Sequence, residues 1–341
     1  MKKRLLALFL LAALLLAGCG APAAPEPGAG LEVHFLDVGQ ADCILVASGG
    51  EYLLIDGGNR EDSRLVVSYL EELGVQELEA VVCTHPHEDH VGGLPGVLAV
   101  YPTHGVYAPS KTYASKVYDN FLYYTDQQGL DVTIPAPGDT LTVGQATLTV
   151  LGPVKSYAET NDTSLVLRLD YGDTRFLFTG DMETAAETDM ADYWADTPGA
   201  LDVDVLKVGH HGSDTSTGYR LLHETTPTQA VISVGTGNTY GHPHEEPLSR
   251  LAQAEVEVLR TDLLGTIVAR SDGTQVHFTW ENTQSQPQIP QGQGFIGNIS
   301  SKKFHTPTCP NLPAPKNQIS FETYQQALDA GYAPCGNCLG K

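Results

Sequence analysis

From Leu31 onward the chain repeats one pattern, a short apolar run closed by glycine and acidic residues. "EVHFLDV", "CILVAS" and "YLLIDGG" follow one another closely, and runs of this kind bounded by turn residues predict consecutive sheet strands. "SRLVVSYLEELG" breaks the rhythm: apolar residues at helical spacing and a glycine stop predict a helix. "LEAVVCTH" is again a buried strand. Farther on, "ATLTVLG", "SLVLRLDYG", "TRFLFTGD", "DVDVLKVGHHG", "QAVISVG", "VEVLRT" and "GTIVAR" repeat the strand-to-turn pattern. Helices are predicted over Glu183–Trp194 and Gly218–Glu224. Strands and helices mixed in this way predict a layered α/β architecture rather than an all-β sandwich.

The chain starts differently. In residues 1–18, Lys2, Lys3 and Arg4 precede an unbroken apolar run that ends in small residues, the pattern of a secretory signal. The run is shorter than the ~20 residues that a membrane span needs. Its ending "LAGC", Leu16 to Cys19, resembles the lipobox of bacterial lipoproteins, which implies that Cys19 is lipid-modified and that the protein is extracytoplasmic and anchored to the cell membrane. Residues 19–30 read as a Pro/Gly/Ala tether.

The 341 residues carry a net charge of −22, and removing the three basic residues of the signal takes this to −25. A surface of that sign repels phosphate polymers, so work on nucleic acid needs local positive charge or bound metal. With 41% hydrophobic residues the chain can bury a substantial core. Cys43 and Cys83 sit in apolar runs, where cysteine serves as a small hydrophobe; a disulfide between them is conceivable in an exported protein.

Polar residues concentrate where the strands end, the usual place for sites built on a rigid sheet. "THPHEDH" releases His85, His87, Asp89 and His90 from one strand within six positions. Imidazole and carboxylate are ligands that borderline divalent cations prefer. "FLFTGD" ends at Asp181, and "DVLKVGHHGS" delivers His210 and His211 just past another strand. Three strand ends carrying His and Asp in this order predict one metal centre.

These segments, with "LDVGQADCILV" and "LLIDGG", resemble the metallo-β-lactamase-fold hydrolases over residues 31–280. "DVGQAD", "NDTSLVL", "DVLKVGHHGSDTS", "SVGTGNTYGHPHEEPLSRL" and "TDLLGTI" are similar to the extracytoplasmic nuclease-like domain of the ComEC DNA-uptake proteins. The resemblance implies an αββα sandwich with two divalent metal ions, zinc or manganese, at the sheet edge. It implies that His85 and His87 hold one metal, that Asp89, His90 and His211 hold the other, and that Asp181 bridges them. His210 is then turned toward substrate, although the pair is interchangeable on sequence alone. Asp89 also orients the attacking water, and His242 contacts a phosphate oxygen or protonates the leaving group, with His244 a weaker candidate. Asp42 faces the site by analogy. Where many family members supply a further histidine before "SLVLRL", this chain has Asn161 and Asp162.

Glu281 to Gly294, rich in Gln, Pro and Gly, reads as a linker over residues 281–294. Residues 295–341 are too short for an ordinary core, but they carry His305, Cys309, Cys335 and Cys338 in a knuckle-like Cys₃His arrangement that suits one structural zinc. Two disulfides are the rival, which three cysteines cannot complete. The segment resembles the zinc-binding domain of the Ada repair protein, with His305 at a cysteine position. Lys302, Lys303, Lys316 and Lys341 give it a positive balance suited to a polyanion.

The expected function is that of a metal-dependent phosphodiesterase or nuclease acting on DNA. The alternatives are a phosphorylcholine esterase acting on teichoic acid and, from another class, a non-catalytic DNA-capture lipoprotein. Substrate choice is expected to lie in loops such as Ser110–Gln128.

Overall fold

The computed structural model describes residues 30–285 and 294–339, so the predicted signal, most of the tether with Cys19, the middle of the predicted linker and Lys341 lie outside the described residues. Two sheets face each other. The first has eight strands in the order Val276–Trp280, Ile267–Ser271, Leu31–Phe35, Ile44–Ser48, Glu51–Ile55, Ala80–Val82, Val106–Tyr107 and Val132–Thr133. The second has seven, in the order Glu257–Arg260, Gln229–Ile232, Val205–Lys207, Thr174–Phe178, Val166–Tyr171, Ala146–Gly152 and Thr140–Val143.

Strand alternation builds the layers. In Thr174–Phe178, Phe176 and Phe178 enter the core between the sheets with Val33, Phe35, Val46 and Leu148, while Leu177 faces the opposite way. There it meets Ala186 and Met190 of the Thr184–Trp194 helix and Leu221 of the Tyr219–Thr225 helix. On the outer face of the first sheet, Leu45, Leu54 and Val81 pack against Val66 and Leu70 of Ser63–Glu72 and Phe121 of Lys116–Gln127. The result is the αββα order. Each fully buried Phe or Leu contributes about 1.5–3 kcal/mol of apolar burial.

The Ser110–Gln128 stretch, expected as a substrate loop, is largely helix over Lys116–Gln127. Ser115 caps it by accepting from the Val117 N–H, and Tyr118, Phe121 and Thr125 are buried along one face. Cys43 and Cys83 are separate buried thiols rather than a disulfide. Among the described residues, no helix is long and apolar enough to cross a membrane.

The four-stranded C-terminal sheet runs Gln318–Phe321, Phe295–Asn298, Lys303–His305 and Ala333–Pro334. Its small core holds Phe295, Phe304, Ala327, Tyr332 and Leu339, and it includes Tyr219 from the main domain.

Candidate metal centre and active site

Parallel pairing brings the polar strand ends together. Ala80–Val82 runs parallel to Glu51–Ile55, and Val205–Lys207 runs parallel to both Thr174–Phe178 and Gln229–Ile232. Their carboxyl ends, where ligands gather in open α/β sheets, release Asp56, His85 to His90, Asp181 and His210 with His211 along one edge. The Leu165 N–H donates to the Thr84 carbonyl at 2.9 Å, tying the two sheets there.

One oxygen or nitrogen each from Asp89, His90, Asp181 and His211 lies within 4.8 Å of the others. Asp181 is central: its Oδ1 is 3.2 Å from His90 Nε2, and its Oδ2 is 3.7 Å from His211 Nε2 and 3.8 Å from His85 Nε2. His211 Nε2 is also 3.3 Å from Asp89 Oδ2. His85 Nε2 is 3.0 Å from His87 Nδ1, so His87 joins from the side. His210 is more open, 24% exposed, with Nε2 at 3.7 Å from Asp181 and Nδ1 at 3.4 Å from Glu183.

The outer nitrogens are held in place. His90 Nδ1 donates to Asp56 Oδ2 at 2.8 Å, and Asp56 also accepts from the Thr84 amide and hydroxyl at 2.7 and 2.6 Å. His211 Nδ1 donates to the Ser233 carbonyl at 3.1 Å and lies 3.2 Å from Asp42 Oδ1. Asp42 Oδ2 in turn meets Lys207 Nζ at 2.9 Å. Such partners fix a ligating histidine's tautomer and leave its other nitrogen bare.

That bareness tests whether metal fits. Among the described residues, His90 Nε2, Asp181 Oδ1 and His211 Nε2 are buried and have no hydrogen-bond partner. His90 and Asp181 approach to salt-bridge distance without hydrogen-bonding geometry. Buried polar atoms left unpaired cost about 1–3 kcal/mol each, and divalent cations relieve all of them together. Asn161 Oδ1 is similarly buried and unpartnered while Asn161 lines the cleft. Electrostatics agree. Burial opposes ionisation of Asp181, but His90, His211 and His85 outweigh it and hold the carboxyl well below its usual range. Burial also opposes a charge on His211, but Asp181 and Asp42 push it up to about 10. The centre is built around positive charge.

The cleft over this centre measures about 890 Å³. Its walls include Asp37, Glu61, Asp62 and Glu88, and no Lys or Arg lines it among the described residues. His242 stands on one side, 5.6 Å ring to ring from His210. Gln40 Oε1 accepts from the Gly235 N–H at 3.1 Å, which points its amide nitrogen at His242 Nδ1, 3.3 Å away. His242 Nδ1 is therefore the acceptor and Nε2 carries the proton. Burial, then His244, His210 and His211, lower its pKa to about 4, so His242 is a neutral donor rather than a store of protons at pH 7. His244 points away, accepting from the Asp214 N–H at 3.1 Å.

Sequence reasoning missed Asp56 and Lys207. Asp56 was visible as the acid closing "LLIDGG", and Lys207 as a lone cation inside an apolar strand.

The second cluster is His305, Cys309, Cys335 and Cys338, whose ligand atoms also lie within 4.8 Å of one another. Burial, together with Cys309 and Cys335 close by, pushes the Cys338 thiol up to about 12. A closed Cys₃His set of this kind suits zinc.

Residues 36–236 match the sequence family described as the Metallo-beta-lactamase superfamily. The chain belongs to that superfamily. Residues 279–340 match the metal binding domain of Ada, so an Ada-like zinc-binding domain follows the superfamily domain. Similar proteins include ComE operon protein 3 of Bacillus subtilis, 30% identical over 70% of this chain and 33% of that protein. Competence protein ComA of Neisseria gonorrhoeae is 31% identical over 72% of this chain and 33% of its own length. Recombination protein 2 of Haemophilus influenzae is 31% identical over 69% of this chain and 28% of its own. The chain thus spans about a third of the length of these relatives. It is a metallo-beta-lactamase superfamily member similar over that span to ComE operon protein 3 and competence protein ComA.

Proposed function

We propose that this protein is a two-metal phosphodiesterase acting on DNA, tethered outside the cytoplasm by lipid on Cys19. The observation that carries the reading is the convergence of Asp89, His90, Asp181 and His211 with inner atoms that are buried and unpartnered. His85 and His87 would hold one ion, Asp89, His90 and His211 the other, with Asp181 between them, and Asn161, which lines the cleft with its Oδ1 unpartnered, would be available to supplement the first set. The ions would supply Lewis acidity toward the phosphate and a nucleophile at neutral pH. Relatives named for competence and recombination support DNA as the substrate.

The chain's own groups do the rest. Asp56 and the Ser233 carbonyl hold His90 and His211 in the tautomers that face the cleft, with the Asp42 carboxylate beside His211. His242 Nε2–H is available to donate to a non-bridging phosphate oxygen, and its depressed pKa assigns it to that role rather than to protonating the leaving group. His210, braced by Glu183 and Thr215, faces the same space. Asp89, close to His211 and open to the cleft, orients the nucleophile.

A second reading rests on the acidic walls. Asp37, Glu61, Asp62 and Glu88 with no facing cation suit a substrate in which a positive group adjoins the phosphate, such as a phosphorylcholine ester of teichoic acid. A panel of single- and double-stranded DNA, a phosphorylcholine ester and a β-lactam, offered with zinc or manganese, separates these readings. Turnover of DNA alone supports the first, and turnover of phosphorylcholine alone replaces it with the second. Retention of DNA without cleavage of anything makes the protein a capture lipoprotein.

A further inference from the structure

Tyr219 belongs to the hydrolase domain by sequence, yet its ring sits in the core of the zinc module. It opens the Tyr219–Thr225 helix, is 9% exposed, and packs with Phe295, Phe304 and Tyr332. The ring stacks on Tyr324 at 5.2 Å and 13°, and meets Phe295 edge-on at 5.3 Å and 62°. The Arg250 guanidinium lies 6.0 Å from its centre. Aromatic pairs of this geometry contribute roughly 0.5–1.5 kcal/mol beyond their burial.

Tyr219 also closes the loop that carries His210 and His211. That loop is strained: His210, His211 and Thr217 hold φ of 49°, 52° and 55°, a region non-glycine residues keep only where their surroundings impose it. The enforcement is visible. Arg250 Nη2 donates to the carbonyls of Asp214 and Ser216 at 3.2 and 3.0 Å. The buried Glu187 carboxylate accepts from the amides of Thr217 and Gly218 at 2.5 and 2.8 Å. Thr217 Oγ1 accepts from the Gly209 N–H at 3.1 Å, joining the two ends of the loop. The residue that follows these anchors is Tyr219.

We propose that the C-terminal module is a positioning clamp: by stacking Tyr324 and Phe295 on Tyr219, it holds the 209–218 loop in the conformation that presents His211 to the cleft. Tyr219, Tyr324 and Phe295 are positioning residues, touching neither substrate nor reacting atoms. A segment as short as the module depends on its metal to fold, so zinc at His305, Cys309, Cys335 and Cys338 raises the affinity of the distant centre for its own cations. This inference rests on the metal-centre reading above.

The test uses the full chain carrying one equivalent of zinc, which the thiolate-rich module takes in preference to the His/carboxylate centre. Manganese, which prefers the harder donors, is then titrated, and free Mn²⁺ is followed by electron paramagnetic resonance. Protection of the Cys309, Cys335 and Cys338 thiols from a thiol reagent shows that the module keeps its zinc. Tyr219→Ala and Tyr324→Ala are expected to weaken Mn²⁺ binding about tenfold, the scale seen when a ligand's support is removed, with the thiols still protected. Tyr219→Phe, which keeps the ring, is expected to bind as the wild type does. Unchanged Mn²⁺ affinity in both alanine variants, or an equal loss in Tyr219→Phe, overturns the clamp. Absence of Mn²⁺ uptake by the wild type overturns the metal-centre reading and the clamp with it.

Discussion

Lys207 Nζ lies 2.9 Å from Asp42 Oδ2, with both side chains almost wholly removed from solvent and the other Asp42 oxygen 3.2 Å from His211 Nδ1. A buried cation thus holds the carboxylate that lies against a candidate metal ligand. Burial alone would raise the Asp42 pKa, but Lys207 and His211 outweigh it and lower it. The pair's contribution to stability is therefore present above the unfolded carboxyl pKa and lost as the solution is acidified through the lower folded value.

Removing Lys207 strips that buried carboxylate of its main countercharge and leaves only His211 beside it, at a cost of about 3–5 kcal/mol. Lys207→Met is expected to lower the midpoint of urea unfolding by that amount at pH 7. The double variant Lys207→Met with Asp42→Leu is expected to recover most of the loss, since well-packed apolar pairs replace buried ion pairs at little cost. Equilibrium unfolding of the three chains checks both outcomes.

His242 is predicted to act by donation from a neutral ring. His242→Ala is expected to lower kcat by about 10²-fold, the scale for losing one preorganised donor, with metal content unchanged. His242→Gln, which retains an N–H, is expected to recover part of the rate. Because the ring's pKa is pushed down to about 4, the alkaline limb of the pH–rate profile is expected to be the same in wild type and His242→Gln. Steady-state kinetics with metal analysis decides the matter.

Much of this arrangement is legible in the sequence and some is not. Thr174–Phe178 reads as a strand because its apolar run ends at a Gly–Asp turn, and the histidine cluster reads as metal-binding because its donors crowd one strand end. The Lys116–Gln127 helix stays hidden because tyrosines occupy both its buried and its solvent-facing positions, blurring the helical period. The partnerships of Asp56 with His90 and of Lys207 with Asp42 join a strand end to a helix and one sheet to the other, and local spacing does not encode such tertiary packing. Tyr219 reads as an ordinary helix residue, since its partner lies about a hundred residues later at Tyr324.

Glu187 provides a pH signature. Burial, opposed by the Gly218 and Thr217 amides, raises its pKa from 4.5 to about 7. The folded state then holds a proton that the unfolded chain has released, so this contribution to stability is full below pH ~4.5 and falls as pH rises toward 7. The stability advantage of wild type over Glu187→Gln is expected to shrink by about 3 kcal/mol between pH 4.5 and 7.5. Urea titrations of both metal-free chains across that range provide the measurement.

The most direct test of the two-metal account is turnover of a chromogenic phosphodiester by the full chain with zinc or manganese, beside Asp181→Ala. The account predicts hydrolysis that chelation abolishes and either metal restores, with a loss of about 10³-fold or more in Asp181→Ala, because a carboxylate shared between the ions supports both of them. Equal turnover by the Asp181→Ala chain, or turnover that survives complete removal of metal, would contradict it.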